Sequence, residues 1–448
     1  NGENMGLDVT LAGETLGRSS SIMRRVRGRV FSLRNVVILT VLGSLGTLQG
    51  QTRFRPESER EELGRTSAYE EWIEQEGIPI YRGQAIPNLS NLQLGPWKRL
   101  GVQGAYLVLD GMEGLLDTSL LEIPVGGKTN PEKHFFEENI LILSGEGETQ
   151  IWLGEGESKQ SLYWRQGSVF SPPLNSWHQH FNRGQEPAKF VSVTNASFLM
   201  DFFHDAELLF NIETKVTPRY HGEANYFDPE ISRDYAPYKG IHSLSLVNMI
   251  RNARSSLLSP AGQGYGDVDR HFVLSNNRMG THIESFPVGT YERAHRHGAG
   301  AAIIFLGGVG YSLYWPAELG IHPFRDGKGD QVQKVPWQDG TMFVPADQWF
   351  HQHFNTGKEP ARFIKLAAPF GPGGDNVVFK TLFKIATEDR RYMIKYREED
   401  GEIRKRFEAD LKRNGATLKM PPLEELIALE REAEKESGGM LQNVRLEP

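Results

Sequence analysis

A chain of 448 residues has room for two or three ordinary domains, and with 38% hydrophobic residues it can bury a core in each. Its net charge of −7 argues against a general nucleic-acid binder, which needs a basic surface to neutralise phosphates. No cysteine is present, which excludes disulfides, thiolate catalysis and Cys-ligated zinc; any metal must rest on His, Asp or Glu.

Residues 1–65 stand apart from the rest. A basic run from Met23 leads into the apolar stretch 36–48, which ends in small residues. That is the layout of an export signal or membrane tether, too short for an ordinary bilayer span; the alternative is a poorly ordered leader on a cytoplasmic protein. Beyond it, the chain repeats itself. The 29 residues from Ser168 and the 29 from Thr341 align without gaps and share His-Gln-His-Phe-Asn, Glu-Pro-Ala and flanking Phe, Pro and Gly. Upstream, residues 123–147 align with 286–310. The offset grows from 163 to 173 between the two matches, which places a longer loop in the second copy around 316–335.

Short apolar runs such as NILILSG, KFVSVTN, AAIIFLGG and RFIKLAA lie between Gly, Pro and Asn. They predict strands, and regular strands with tight turns predict an all-β barrel or double-sheet jelly roll. The expected organisation is a first β domain at 66–200, a linker at 201–270, a second β domain at 271–372 and a helical tail at 373–448. The tail is charge-rich with apolar residues at helical spacing, and reads as a solvated arm or a surface packed on a partner subunit.

His295 and His297 are two apart, so on an extended chain they share a face. His351 or His353, also two apart, would supply a third imidazole. Three neutral imidazoles in an apolar barrel make a divalent-metal site with open positions for water, substrate or O₂. Glu284, Arg293, Trp349 and Asn355 lie near these runs. Glu284 and Asn355 would orient the imidazoles, Arg293 would pair with a substrate carboxylate, and Trp349, like Phe350, would stack on an aromatic substrate. His180 and His353 read as structural hydrogen-bonding residues, with metal contact as the sharper alternative for both and substrate contact for His353.

These residues carry a resemblance. Gly289-x5-His295-x-His297 resembles the first motif of the cupin superfamily, and Pro345 followed by His351-x3-Asn355 resembles its second, with one extra residue between Pro and His. The resemblance spans 97–196 and 279–370. It implies a bicupin, two double-stranded β-helix domains in one chain, and selects His351 over His353 as the ligand. The Glu of the first motif is present in the first copy as Glu138, four residues after His134, but Glu132 stands where the first His belongs. In the second copy that Glu position is Ala301. The second copy thus offers three His and no carboxylate. The first offers Glu132, His134, Glu138 and His178, either as a second metal site or as a degenerate, structural relic.

A metal held by neutral imidazoles alone keeps its full charge and favours an anionic, chelating substrate. In this the second copy resembles the gentisate and salicylate 1,2-dioxygenase group of bicupins, whose iron sits on three His. The expected activity is a non-haem Fe(II) dioxygenase that cleaves a C–C bond or ring of a small phenolic, hydroxy-acid or diketone substrate. Mn, Ni, Cu or Zn would suit the same ligands. The alternatives are a non-oxidative metal-dependent decarboxylase, isomerase or lyase, and a non-catalytic metal- or sugar-binding bicupin. The expected partners are a small molecule and O₂, no nucleic acid, and further copies of the chain in a homo-oligomer.

Overall fold

The computed structural model describes residues 67–228, 233–235, 244–261, 264–368 and 393–438. The leader at 1–65 lies outside them. No helix among the described residues is long and apolar enough to cross a membrane.

Eight strands of the first copy make its jelly roll: β1 (Val102–Leu109), β2 (Asp117–Ile123), β3 (Glu138–Ser144), β4 (Glu146–Trp152), β5 (Gln160–Arg165), β6 (Val169–Phe170), β7 (Trp177–Asn182) and β8 (Ala188–Thr194). The second repeats the set: β9 (Val268–Leu274), β10 (Gly280–Phe286), β11 (Ala301–Gly307), β12 (Gly310–Trp315), β13 (Gln333–Trp337), β14 (Met342–Phe343), β15 (Phe350–Asn355) and β16 (Ala361–Ala367). In each copy a large sheet runs in the order first, second, eighth, third, sixth strand, and a small sheet pairs the fourth with the fifth and seventh. This is the expected double-sheet jelly roll, formed twice.

Side-chain alternation explains why the third strand of each copy reads as an unbroken apolar run. On β3, Ile140 and Ile142 point into their own barrel, while Leu141 and Leu143 point the other way. On β11, Ile303 and Phe305 fill the second barrel, while Ala302, Ile304 and Leu306 face outward. The outward sets meet in one core between the two large sheets, so both faces of these strands are dry. Truncating Leu141 or Ile304 to Ala would cost about 2–5 kcal/mol. The turns that follow these strands need glycine. Gly145 (φ +81°) and Gly308 (φ +84°) are left-handed, and a Cβ there would come within 2.8 and 2.7 Å of the Cα atoms of Ala188 and Ala361.

The stretch 201–270, expected as a linker, is not one. Residues Leu244–Val247 pair in parallel with β9, as Ile80–Gly83 pair in parallel with β1. Immediately after, Met249–Ile250 cross to β6 of the first barrel, and Ala85–Ile86 cross to β14 of the second. Each copy thus lends a two-residue edge strand to the other. Covering an edge with a partner strand removes an open row of N–H and C=O groups.

Among its described residues the tail has two α-helices, α1 (Gly401–Arg413) and α2 (Leu423–Gly438). They are not a solvated arm. Ile403, Phe407 and Leu411 lie in one cluster with Tyr291, Tyr311 and Phe354, so α1 packs on the outer face of the second barrel's small sheet. Asp400 caps α1 by accepting from the Glu402 N–H at 3.1 Å.

Candidate metal centre

His295 lies on the extended segment that leads into β11, and His351 on β15. Their backbones form an antiparallel bridge, with His295 N–H donating to the His351 carbonyl at 3.0 Å and the reverse bond at 2.8 Å. Paired residues of this kind project to the same side, which aims both imidazoles into the barrel. His297 follows two residues later, and its carbonyl is held by the Gln348 N–H at 2.9 Å. The ring centroids of His351 lie 4.3 Å from His295 and 4.6 Å from His297. One ring nitrogen of each of the three lies within 4.8 Å of the others.

The tautomers follow from the backbone. Nδ1–H of His295 donates to the Arg293 carbonyl (3.1 Å), that of His297 to the Gly298 carbonyl (2.8 Å), and that of His351 to the Trp349 carbonyl (3.2 Å). A carbonyl accepts only, so Nδ1 keeps the proton and Nε2 keeps its lone pair. Burial pushes the His295 imidazole down to about 4 and those of His297 and His351 well below the usual value. All three are therefore neutral at pH 7, the form in which an imidazole ligates.

The orienting roles expected of Glu284 and Asn355 fall elsewhere. In an extended chain a carbonyl one or two residues away already reaches Nδ1, and no carboxylate is needed. Glu284 faces His282 and Glu292. Asn355 ties down the turn into β16: its Nδ2 donates to the carbonyls of Glu359 (2.9 Å) and Phe286 (3.3 Å), and its Oδ1 accepts from Gly357 N–H (3.0 Å). Arg293, expected to meet a substrate carboxylate, pairs with Glu430 on α2 at 3.5 Å. Trp349 is half-buried and tilted against Tyr314, with centroids 5.7 Å apart. Phe350 is buried beside Trp315. His353 sits deeper in the barrel among Phe305, Phe343 and Phe363, and shares a 2.7 Å hydrogen bond with Ser312.

The first barrel builds the same frame around different groups. His180 shares a 2.7 Å hydrogen bond with Thr149, and Asn182 bridges the carbonyls of Ile123, Pro124 and Glu186. His134, Glu138 and His178 bring one ligand atom each within 4.8 Å of the others. His134 Nε2 lies 3.2 Å from Glu138 Oε2, and its Nδ1–H donates to the Phe136 carbonyl at 3.0 Å. Glu138 also accepts from the Ser192 hydroxyl. Glu132 is 3.7 Å from His178 Nε2 but is drawn toward Arg99, whose guanidinium lies over Trp72, Trp97 and Phe210 at 5.0–5.2 Å. Burial alone would raise the Glu132 carboxyl; Arg99 and His178 outweigh it and hold that group well below the usual range. The same carboxylates raise His178 above its usual value against the pull of burial.

A family model described as Cupin domain matches residues 119–194. The fold is a cupin fold, and the chain holds it twice. Among solved structures, a Trp-to-Tyr variant of oxalate decarboxylase from Bacillus subtilis aligns at 12% identity and a TM-score of 0.40, covering 64% of this chain and 77% of that one. An Arg-to-Ala variant of the same enzyme aligns at 12% identity and a TM-score of 0.39 with the same coverage. No curated protein matches the chain by sequence.

Proposed function

We propose that this bicupin is a metal-dependent oxidoreductase, a non-haem Fe(II) dioxygenase acting on a small phenolic, hydroxy-acid or diketone substrate, with His295, His297 and His351 as its metal ligands. The observation that carries the reading is the donor set: three buried neutral imidazoles with lone pairs free of Nδ1 duty, and Ala301 where the first barrel has Glu138. No carboxylate from that position offsets the ion, so an anionic chelating substrate is drawn to it more strongly than to a His/Glu centre. The metal would supply redox chemistry and a place for substrate and O₂ side by side. The chain supplies the rest. The bridge between His295 and His351 fixes two ligands on paired backbones. Three carbonyls fix the tautomers, and the aromatic floor of Phe305, Phe343 and Phe363 beneath His353 keeps water out from below.

The test is elemental analysis of the purified full chain followed by O₂ uptake against phenolic acids, hydroxy acids and diketones. Substrate-dependent O₂ consumption that requires Fe(II) is the expected result. Turnover without O₂ would replace the oxygenase reading with decarboxylase, isomerase or lyase chemistry. Metal retained in full by His297→Ala would remove the proposed centre.

A further inference from the structure

The second barrel gathers another set of ligating side chains on one face of a hairpin. β9 carries Asp269 and His271, and β10 carries His282 and Glu284; residues two apart on a strand share a face. The antiparallel register sets His271 opposite His282 and Asp269 opposite Glu284. The four side chains form a two-by-two square. Asp269, His282 and Glu284 are buried and His271 is half-buried.

One ligand atom each of Asp269, His271 and His282 lies within 4.8 Å of the others. His282 Nε2 lies 3.1 Å from Asp269 Oδ2, and His271 Nε2 lies 3.9 Å from the same oxygen. Glu284 Oε2 lies 3.9 Å from His282 Nε2. The two imidazoles stack with centroids 4.2 Å apart and planes 10° apart, which presents both ring edges to the carboxylates. Two donors each about 2.1 Å from a common ion stand about 3.0–3.4 Å apart in octahedral or tetrahedral order. The 3.1 Å pair already has that spacing; the two 3.9 Å pairs would close by about 0.5–0.9 Å, with the stacked rings turning toward each other, to enclose an ion.

We propose that the square is a further metal-binding site, taking a divalent transition cation such as Zn(II) on Asp269, His271 and His282, with Glu284 as a fourth ligand. Two imidazoles with one or two carboxylates suit Zn(II), Fe(II) and Mn(II), and the site uses none of the ligands assigned to the catalytic centre.

The repeat shows that the fold does not ask for this chemistry. In the first barrel the equivalent cross-strand pairs are Gly104 with Leu121 and Tyr106 with Ser119. The surroundings are rich in acid: Glu292 and Asp267 are buried close by, with Lys365 among them. A cation among these carboxylates would offset their mutual repulsion.

The full-length chain, stripped with a chelator and dialysed against Zn(II), can be counted for bound zinc by elemental analysis. His282→Gln is expected to lose one equivalent per chain and His297→Ala a different one, so that the double variant loses two. Undiminished zinc in a His282→Gln chain with native near-UV circular dichroism overturns the site. Should that variant fail to fold, anomalous diffraction from zinc-soaked crystals of the parent chain decides. A peak within bonding distance of His271 and His282 supports the site, and its absence overturns it. Zinc lost from His282→Gln but kept in full by His297→Ala would uphold this site while removing the proposed catalytic centre.

Discussion

His180 leans on Thr149 as His353 leans on Ser312, and Asn182 fastens its turn as Asn355 does. The barrels part where side chains converge on the interior. At corresponding places Glu132 stands against His295, Glu138 against Ala301, and Ser192 against Lys365. The first barrel mixes two imidazoles with two carboxylates and an Arg. The second collects three imidazoles and keeps its carboxylates apart from them, around His282. Duplication preserved the hydrogen bonds that shape the frame and left the charged contents of each barrel to diverge.

The largest effect that would sharpen this contrast is on turnover. If His297 is a ligand, His297→Ala should lower kcat/KM by about 10³-fold and release one metal equivalent, since outer-shell partners alone cost about 10–100-fold. His134→Ala, at the matching place in the first barrel, should leave kcat/KM within a few-fold. Equal losses in both would end the division of labour.

Next comes acid stability of the metal-free chain, where His295 and His178 carry opposite signs. His295 titrates near 4 when folded and near its ordinary 6.5 when unfolded. Between those values the unfolded chain binds the extra proton. The contribution, about 3 kcal/mol, is therefore complete above pH 6.5 and lost as pH falls toward 4. His178, raised in the fold, stabilises below 6.5 and loses that contribution as pH rises through its folded value. Urea unfolding from pH 4 to 8 should show a steeper acid loss in the parent than in His295→Asn; identical slopes would contradict the assignment.

A smaller loss is expected from Arg99→Leu. It leaves Glu132 without its guanidinium and should cost about 2 kcal/mol at pH 7 by chemical denaturation. Because the Glu132 carboxyl is depressed, that contribution exists above its unfolded value and fades as pH falls, so the parent and variant should converge in acid. The smallest effect is the direct transplant. Ala301→Glu gives the second barrel the first barrel's carboxylate. It should raise KM for an anionic substrate about tenfold while tightening metal binding. A lowered KM would refute the charge argument.

The jelly roll and the imidazole trio were legible because both write themselves in short, repeated patterns. His-Gln-His-Phe-Asn occurs twice, and His-x-His on an extended chain leaves little freedom in where the rings point. The roles of Glu284, Asn355 and Arg293 were not legible, since proximity in sequence says nothing about which neighbour claims a polar side chain first. Carbonyls claimed the imidazoles, and α2 claimed Arg293. The exchanged strands escaped because two-residue edges such as Ala85–Ile86 carry no periodicity. The Asp269 cluster escaped for a plainer reason. Asp-Arg-His before a turn and His-Ile-Glu after it are the signal, but a boundary drawn at residue 270 separates Asp269 from His271.

The lent strands also govern how this chain can be made. Ala85–Ile86 find their place only beside Met342–Phe343, and the first barrel's outer edge waits for Met249–Ile250. During synthesis neither half can finish on its own as it leaves the ribosome: Met249–Ile250 close over about 80 residues, and Ala85–Ile86 over more than half the chain. Assembly therefore completes late, with loop closure over some 250 residues as its entropic toll. Cutting the gene between the repeats would leave each product with an open sheet edge, primed to pair with whatever strand it meets.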